Sequence, residues 1–202
     1  GRIIGLIYPY ERLFPLHRRF LELDGLISCL LGAFFSIQAF LLDKAKVTLI
    51  DASLDQFLLN RRGVLRFIDY GEFYIPLNDF RCREDHWQVR VVVEFLYDLF
   101  NPGHKSAFNG SNLEILSDPR MGLTAACPQY PFLQTILENI ETGNLAVFSE
   151  AELYKALARN CTEQLPVSTL LKVICSGWGS DLKASGRLLL ETLSTGGLPG
   201  KA

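Results

Sequence analysis

The amino-acid sequence predicts a mainly α-helical chain with a small β-hairpin element. Two stretches carry the helical expectation. Leu26 to Leu42 is apolar almost throughout, and Asp85 to Phe100 sets Arg90, Glu94 and Asp98 four apart on one narrow stripe, with Val, Leu and Phe covering nearly everything else. The hairpin expectation rests on Asn60-Arg61-Arg62-Gly63, a turn between two hydrophobic runs, with DASLDQFLL before it and Val64 to Asp69 after it.

In chain order, the first ten residues (GRIIGLIYPY) read as a short β-branched strand broken at Pro9. Leu16 to Leu23 reads as a first helix with a basic start at His17, Arg18 and Arg19. Asp24 then stands as an N-cap before the apolar run. A membrane span needs about 20 predominantly apolar residues. Leu26 to Leu42 is shorter and contains Ser28, Gly32, Ser36 and Gln38, so a buried core helix is favoured over a transmembrane one. Lys44 and Lys46 suit its last turn.

Val47 to Ile50 is a strand by composition, and Val64 to Asp69 is the second strand of the hairpin. The helix from Asp85 to Phe100, with so little polar surface, belongs at the centre of a helical layer, and Asn101-Pro102-Gly103 stops it. Ser149-Glu150-Ala151-Glu152 fits a capping box opening a helix to Ala158. A last helix runs from Ser168 to Cys175, stops at Gly177, and leads to a frayed tail. The chain divides into 1–145, holding the hairpin and the central helix, and 146–202, holding the C-terminal helices of the same unit.

Composition narrows the function. Hydrophobic residues make up 49% of the 202 and charged residues 21%, the mix of a folded chain. Twenty Lys and Arg against 22 Asp and Glu, with no long basic run, argue against a nucleic-acid-binding surface. A mean hydropathy of +0.17 points to a deeply buried core, a large protein-partner interface or membrane proximity, of which membrane association is an open but less favoured alternative. The opening residues show no charged n-region with a cleavage site. Five dispersed cysteines without a C-x-x-C pair read as buried free thiols rather than a zinc site. Two glycosylation sequons, at Asn109 and Asn160, tilt gently toward the secretory pathway. His17, His86 and His104 lack the spacing of a metal site or a triad.

Asp51 follows one strand and Asp69 ends another beside Tyr70-Gly71. Two carboxylates at adjacent strand ends can serve as an acid–base and metal pair, and their hard oxygen ligands suit magnesium bound with substrate phosphates. At these residues the chain resembles the C-terminal lobe of the protein-kinase-like fold. In that family a catalytic-loop Asp is followed five residues on by an Asn and further on by the Asp of a DFG turn. Here Asp51 is followed by Gln56 at the fifth position and by Asp69-Tyr70-Gly71 at the eighteenth. The opening IIGLIYPYERL is similar to a hinge strand, Leu26 to Leu42 to the long helix before the catalytic loop, and EDHWQVRVVVEFLYDLF to the central helix.

The resemblance covers about Gly1 to Gly103 and implies roles for several residues. Asp51 would be catalytic, Asp69 and Gln56 would hold metal with Asp55 as a compensating ligand, and Asp85 would steady the catalytic-loop backbone. The implied cofactors are ATP and Mg2+. Among divergent relatives, D-x-S-L-D-Q-F-L followed by a basic turn and V-x-x-I-D most resembles secretory-pathway kinase-like domains of the PIP-forty-nine type. Small-molecule phosphotransferases of the aminoglycoside or choline type are the next neighbours.

The sequence also departs from the family. Leu49 and Ile50 replace the His and Arg before the catalytic Asp, Ser53 stands in place of a phosphate-contacting Lys, and no glycine-rich loop or strand Lys is present, because the N-lobe is absent from this sequence. These departures lead to the expectation of a pseudokinase, or of a phosphotransferase lobe, acting at least partly through a protein partner. The alternative is an active phosphotransferase once an N-lobe is supplied, and beyond that a non-enzymatic helical scaffold. Each residue also has an ordinary alternative: Asp51 and Asp69 as turn caps, Asp85 as a helix N-cap, Gln56 and Asp55 as solvated loop residues.

Overall fold

A computed structural model describes residues 13–16, 20–49, 52–60, 62–68, 74–76, 87–100 and 126–177. Within them the chain is mostly helical, with two small antiparallel sheets. Strand β1 (Leu13–Pro15) precedes helix α1 (Leu26–Phe40), which continues into a π-helical turn, Leu41–Ala45, and strand β2 (Val47–Leu49). Strands β3 (Phe57–Asn60) and β4 (Leu65–Phe67) form the hairpin, and β5 (Tyr74–Pro76) follows. Helices α2 (Trp87–Phe100), α3 (Gln134–Glu141), α4 (Ala151–Ala158) and α5 (Val167–Gly177) complete the described part.

The hairpin is larger than the sequence predicts. β3 pairs with β4 on one side and with β1 on the other, giving the order β1-β3-β4, while β2 pairs with β5 as a separate two-stranded sheet. β1 and β5 are three-residue strands that each end in a proline, Pro15 and Pro76, a residue that argues against a strand in the sequence. Asn60 closes the hairpin as an Asx turn, its Oδ1 accepting the N–H groups of Arg62 at 2.9 Å and Val64 at 3.0 Å. Gly63 takes the left-handed φ of 76° that the tight reversal requires.

Helix α1 is a core helix: Leu26, Leu30, Leu31, Phe34 and Phe35 are completely buried. By length and composition alone, Leu26–Ala45 could cross a membrane, yet it is mostly enclosed by the rest of the chain and packs chiefly against α4. A continuous row of rings ties the elements together. Tyr154 of α4 approaches Phe35 of α1, Phe34 stacks on Phe95 of α2 with centroids 4.2 Å apart, and Phe95 meets Phe57 of β3, which meets Phe67 of β4. The buried Tyr154 hydroxyl is satisfied by the Phe148 carbonyl at 2.9 Å.

Several local expectations need correction. Of the predicted first helix, Leu16 to Leu23, Phe20 is 3-10 helical, residues 21–25 are turns, with the Leu23 N–H donating to the Phe20 carbonyl, and 17–19 lie outside the described residues. Asp24 does not cap α1. The N-cap is Gly25 at φ 76°, without a side-chain bond, and the Asp24 carbonyl instead accepts the Thr169 hydroxyl of α5. The capping box at Ser149–Glu152 is also absent; Glu150 is the N-cap of α4 and no side chain bonds it. Helix α2, by contrast, sits inside as its narrow polar stripe predicts, and even that stripe is largely enclosed: Glu94 and Asp98 are each 5% exposed, and Arg90 donates to Glu94 at 2.7 Å. A carboxylate can sit there because a guanidinium comes with it.

Among the described glycines, Gly25 is the most constrained. A Cβ there would lie 2.9 Å from Cδ of Pro166, on a backbone that L-residues disfavour. Gly25→Ala is therefore expected to destabilise the fold by at least about 1–2 kcal/mol, read as a lower urea midpoint at unchanged slope.

Candidate functional site

The candidate site is built on β2, the hairpin and β5. β2 ends at Leu49, whose cross-strand partner is Tyr74, the first residue of β5. The chain leaving β2 toward Asp51 and the chain arriving at β5 from Asp69 therefore depart from the same end of this pair. Between them, Phe57 pairs with Phe67, and the Ile68 N–H donates to the Gln56 carbonyl at 2.8 Å. The base of the hairpin thus holds the residue after the first segment against the residue before Asp69. Asp51 and Asp69 themselves, like Asp85 and Asn109, lie outside the described residues.

Gln56 is described and is 8% exposed. It belongs to a 3-10 turn, Leu54–Gln56, where it forms a reciprocal capping box with Ser53: the Gln56 Oε1 accepts the Ser53 N–H at 3.0 Å, and the Ser53 side chain accepts the Gln56 N–H. The carbonyl oxygen that a metal would need already carries one hydrogen bond, with one lone pair left over. Asp55, beside it, is exposed. No cluster of three or more His, Cys, Asp or Glu able to hold a metal ion exists among the described residues. Asn160 is exposed at the end of α4, and its Nδ2 donates to the Ala156 carbonyl at 2.9 Å.

Sequence reasoning missed two buried polar residues at β2, Gln38 and Thr48. Gln38 of α1 is completely buried and its Oε1 faces the Leu49 N–H at 3.5 Å. The Gln38 Nε2 and the buried Thr48 Oγ1 have no hydrogen-bond partner among the described residues. Burying such groups is costly. The one available signal was a lone Gln inside an otherwise apolar run.

A second feature lies apart from the hairpin base. A half-open cleft of about 260 Å³ runs between α1, the start of β4 and the turn after α4, lined by Cys29, Gly32, Ser36, Leu65, Arg159 and Cys161 among others. It adjoins the tip side of the hairpin, whereas Gln56 and Ile68 are at its base. In comparisons with protein-family models, with curated proteins and with solved structures, nothing matches this chain.

Proposed function

We propose that the chain is the helical lobe of a divergent protein-kinase-like domain, a pseudokinase or phosphotransferase lobe that acts at least partly through a protein partner. The observation that supports it most is the β2–β5 pairing across an intervening hairpin, because both aspartate-bearing connections then lead away from one end of one strand pair. A buried helix precedes β2 and a second, with its polar stripe enclosed, follows β5, in the order the resemblance calls for.

In this reading Asp51 orients an acceptor hydroxyl and takes its proton. Asp69 contributes a hard oxygen ligand, and magnesium held there with a nucleotide would neutralise charge on the transferred phosphate. Asp85 steadies the loop that carries Asp51. The turn at Gln56 does not fit a second magnesium ion well, since its Oε1 is engaged by Ser53 and Asp55 is exposed. That engagement favours the pseudokinase form, in which a side chain that binds metal in active relatives serves the local backbone instead. Phe40, 62% exposed at the end of α1, is an apolar point available to a protein partner. A secretory route fits the sequons and the kinase-like domains that the sequence resembles.

The 202-residue chain alone is expected to bind ATP–magnesium weakly, because half of such a pocket belongs to a lobe this sequence does not contain. Thermal-shift titration checks it. A saturable stabilisation of about 2.7 kcal/mol at 100 times Kd, unchanged in Asp69→Asn, would place the nucleotide elsewhere and remove the basis of the reading.

A further inference from the structure

We propose that Cys29 and Cys161 are a disulfide-forming pair that staples α1 to the turn after α4. The placement comes from three contacts around the two residues. A Cβ built on Gly32 would stand 3.0 Å from the Cys161 Cβ and 3.3 Å from the Thr162 carbonyl oxygen, so the turn rests directly on α1 at Gly32. Cys29 precedes Gly32 by three residues on the same helix face. On the residues next to the two cysteines, the Thr162 N–H donates to the Ser28 Oγ at 2.9 Å, and the Ser28 hydroxyl bonds the Thr162 Oγ1 at 3.1 Å. The Cys161 turn is thereby held against the Ser28–Gly32 turn of α1, which carries Cys29, and both cysteines line the same cleft. The Cys161 thiol donates to the Leu157 carbonyl at 3.5 Å, a weak contact that a small rotation of the side chain would release.

Cys127, the other free thiol whose side chain is described, does not line that cleft. Glycine at position 32 is what permits the approach, since any side chain there would push the Cys161 turn outward.

The chemistry is thiol–disulfide exchange with a low-molecular-weight disulfide such as oxidised glutathione. One cysteine thiolate attacks the glutathione disulfide and expels one glutathione thiolate. The second cysteine thiolate then displaces the other glutathione from the mixed disulfide, leaving one S–S bond in the protein, two reduced glutathiones and no net change in electrons.

The folded environment makes this pair slow to open or close. Burial, and then the nearby Cys161, push the Cys29 thiol up to about 12, and burial pushes Cys161 up to about 11. Little thiolate is present near neutral pH, so exchange proceeds mainly before the two elements pack or when they part. The inference is independent of the phosphotransfer reading.

The test uses the full chain in a glutathione redox buffer of secretory poise, in two arms: folded reduced protein held to equilibrium, and denatured reduced protein refolded in the same buffer. Acid quenching, alkylation of remaining thiols and non-reducing peptide mapping follow. A single linked pair of peptides carrying Cys29 and Cys161 in either arm, faster in the refolding arm, is the expected result. If both cysteines are alkylated in both arms, or if either is linked to Cys82, Cys127 or Cys175 instead, the proposal is overturned.

Discussion

Phe34→Ala is expected to lower the unfolding free energy by about 3–5 kcal/mol. The Phe34 ring is completely buried and stacks on Phe95, so truncation removes buried apolar area and opens a cavity between α1 and α2. Urea denaturation at equilibrium measures it directly. A cost near 1 kcal/mol would mean that the α1–α2 contact is not the centre of the core.

Asp51→Asn is the larger functional prediction. Where the chain is joined to a lobe that completes a nucleotide pocket, phosphotransfer is expected to fall by about two to four orders of magnitude, with little change in stability. The amide keeps the size of the side chain and its capacity to accept a hydrogen bond, but it cannot take up the hydroxyl proton. Single-turnover kinetics on the wild type and variant check this. An unchanged rate would reassign Asp51 to a turn cap.

The long elements were legible in the sequence because burial imposes a period on them. The apolar run of α1 and the valine-rich face of α2 announce helices within a few residues of their observed ends, and Asn60 with Gly63 announces the hairpin. Features fixed by tertiary contact were not legible. Glycine rather than Asp24 starts α1, because Pro166 presses against that turn and leaves no room for a Cβ. Glu94 and Asp98 sit inside the fold although four-residue spacing of charges ordinarily marks a solvated face. β1 joins β3 through three residues, Pro15 among them, and composition cannot announce so short an edge strand.

At the candidate site the sequence supplied the residues and their spacing, whereas the pairing of β2 with β5 came only from the folded chain. Gln56 carried two readings, metal ligand and loop residue. Its capping box with Ser53 shows a third use that the S-L-D-Q spacing itself encodes, since Ser and Gln stand three apart.

The most direct measurement is paramagnetic broadening by Mn2+, added with ADP, of the backbone amides in the isotopically labelled chain. If Asp51 and Asp69 share one cleft, the amides of Ala52, Ser53 and Ile68 broaden together at low Mn2+, and either Asp51→Asn or Asp69→Asn weakens the effect on both segments. Broadening of only one segment, or of distant residues with both unaffected, would contradict a shared site and with it the kinase-like reading.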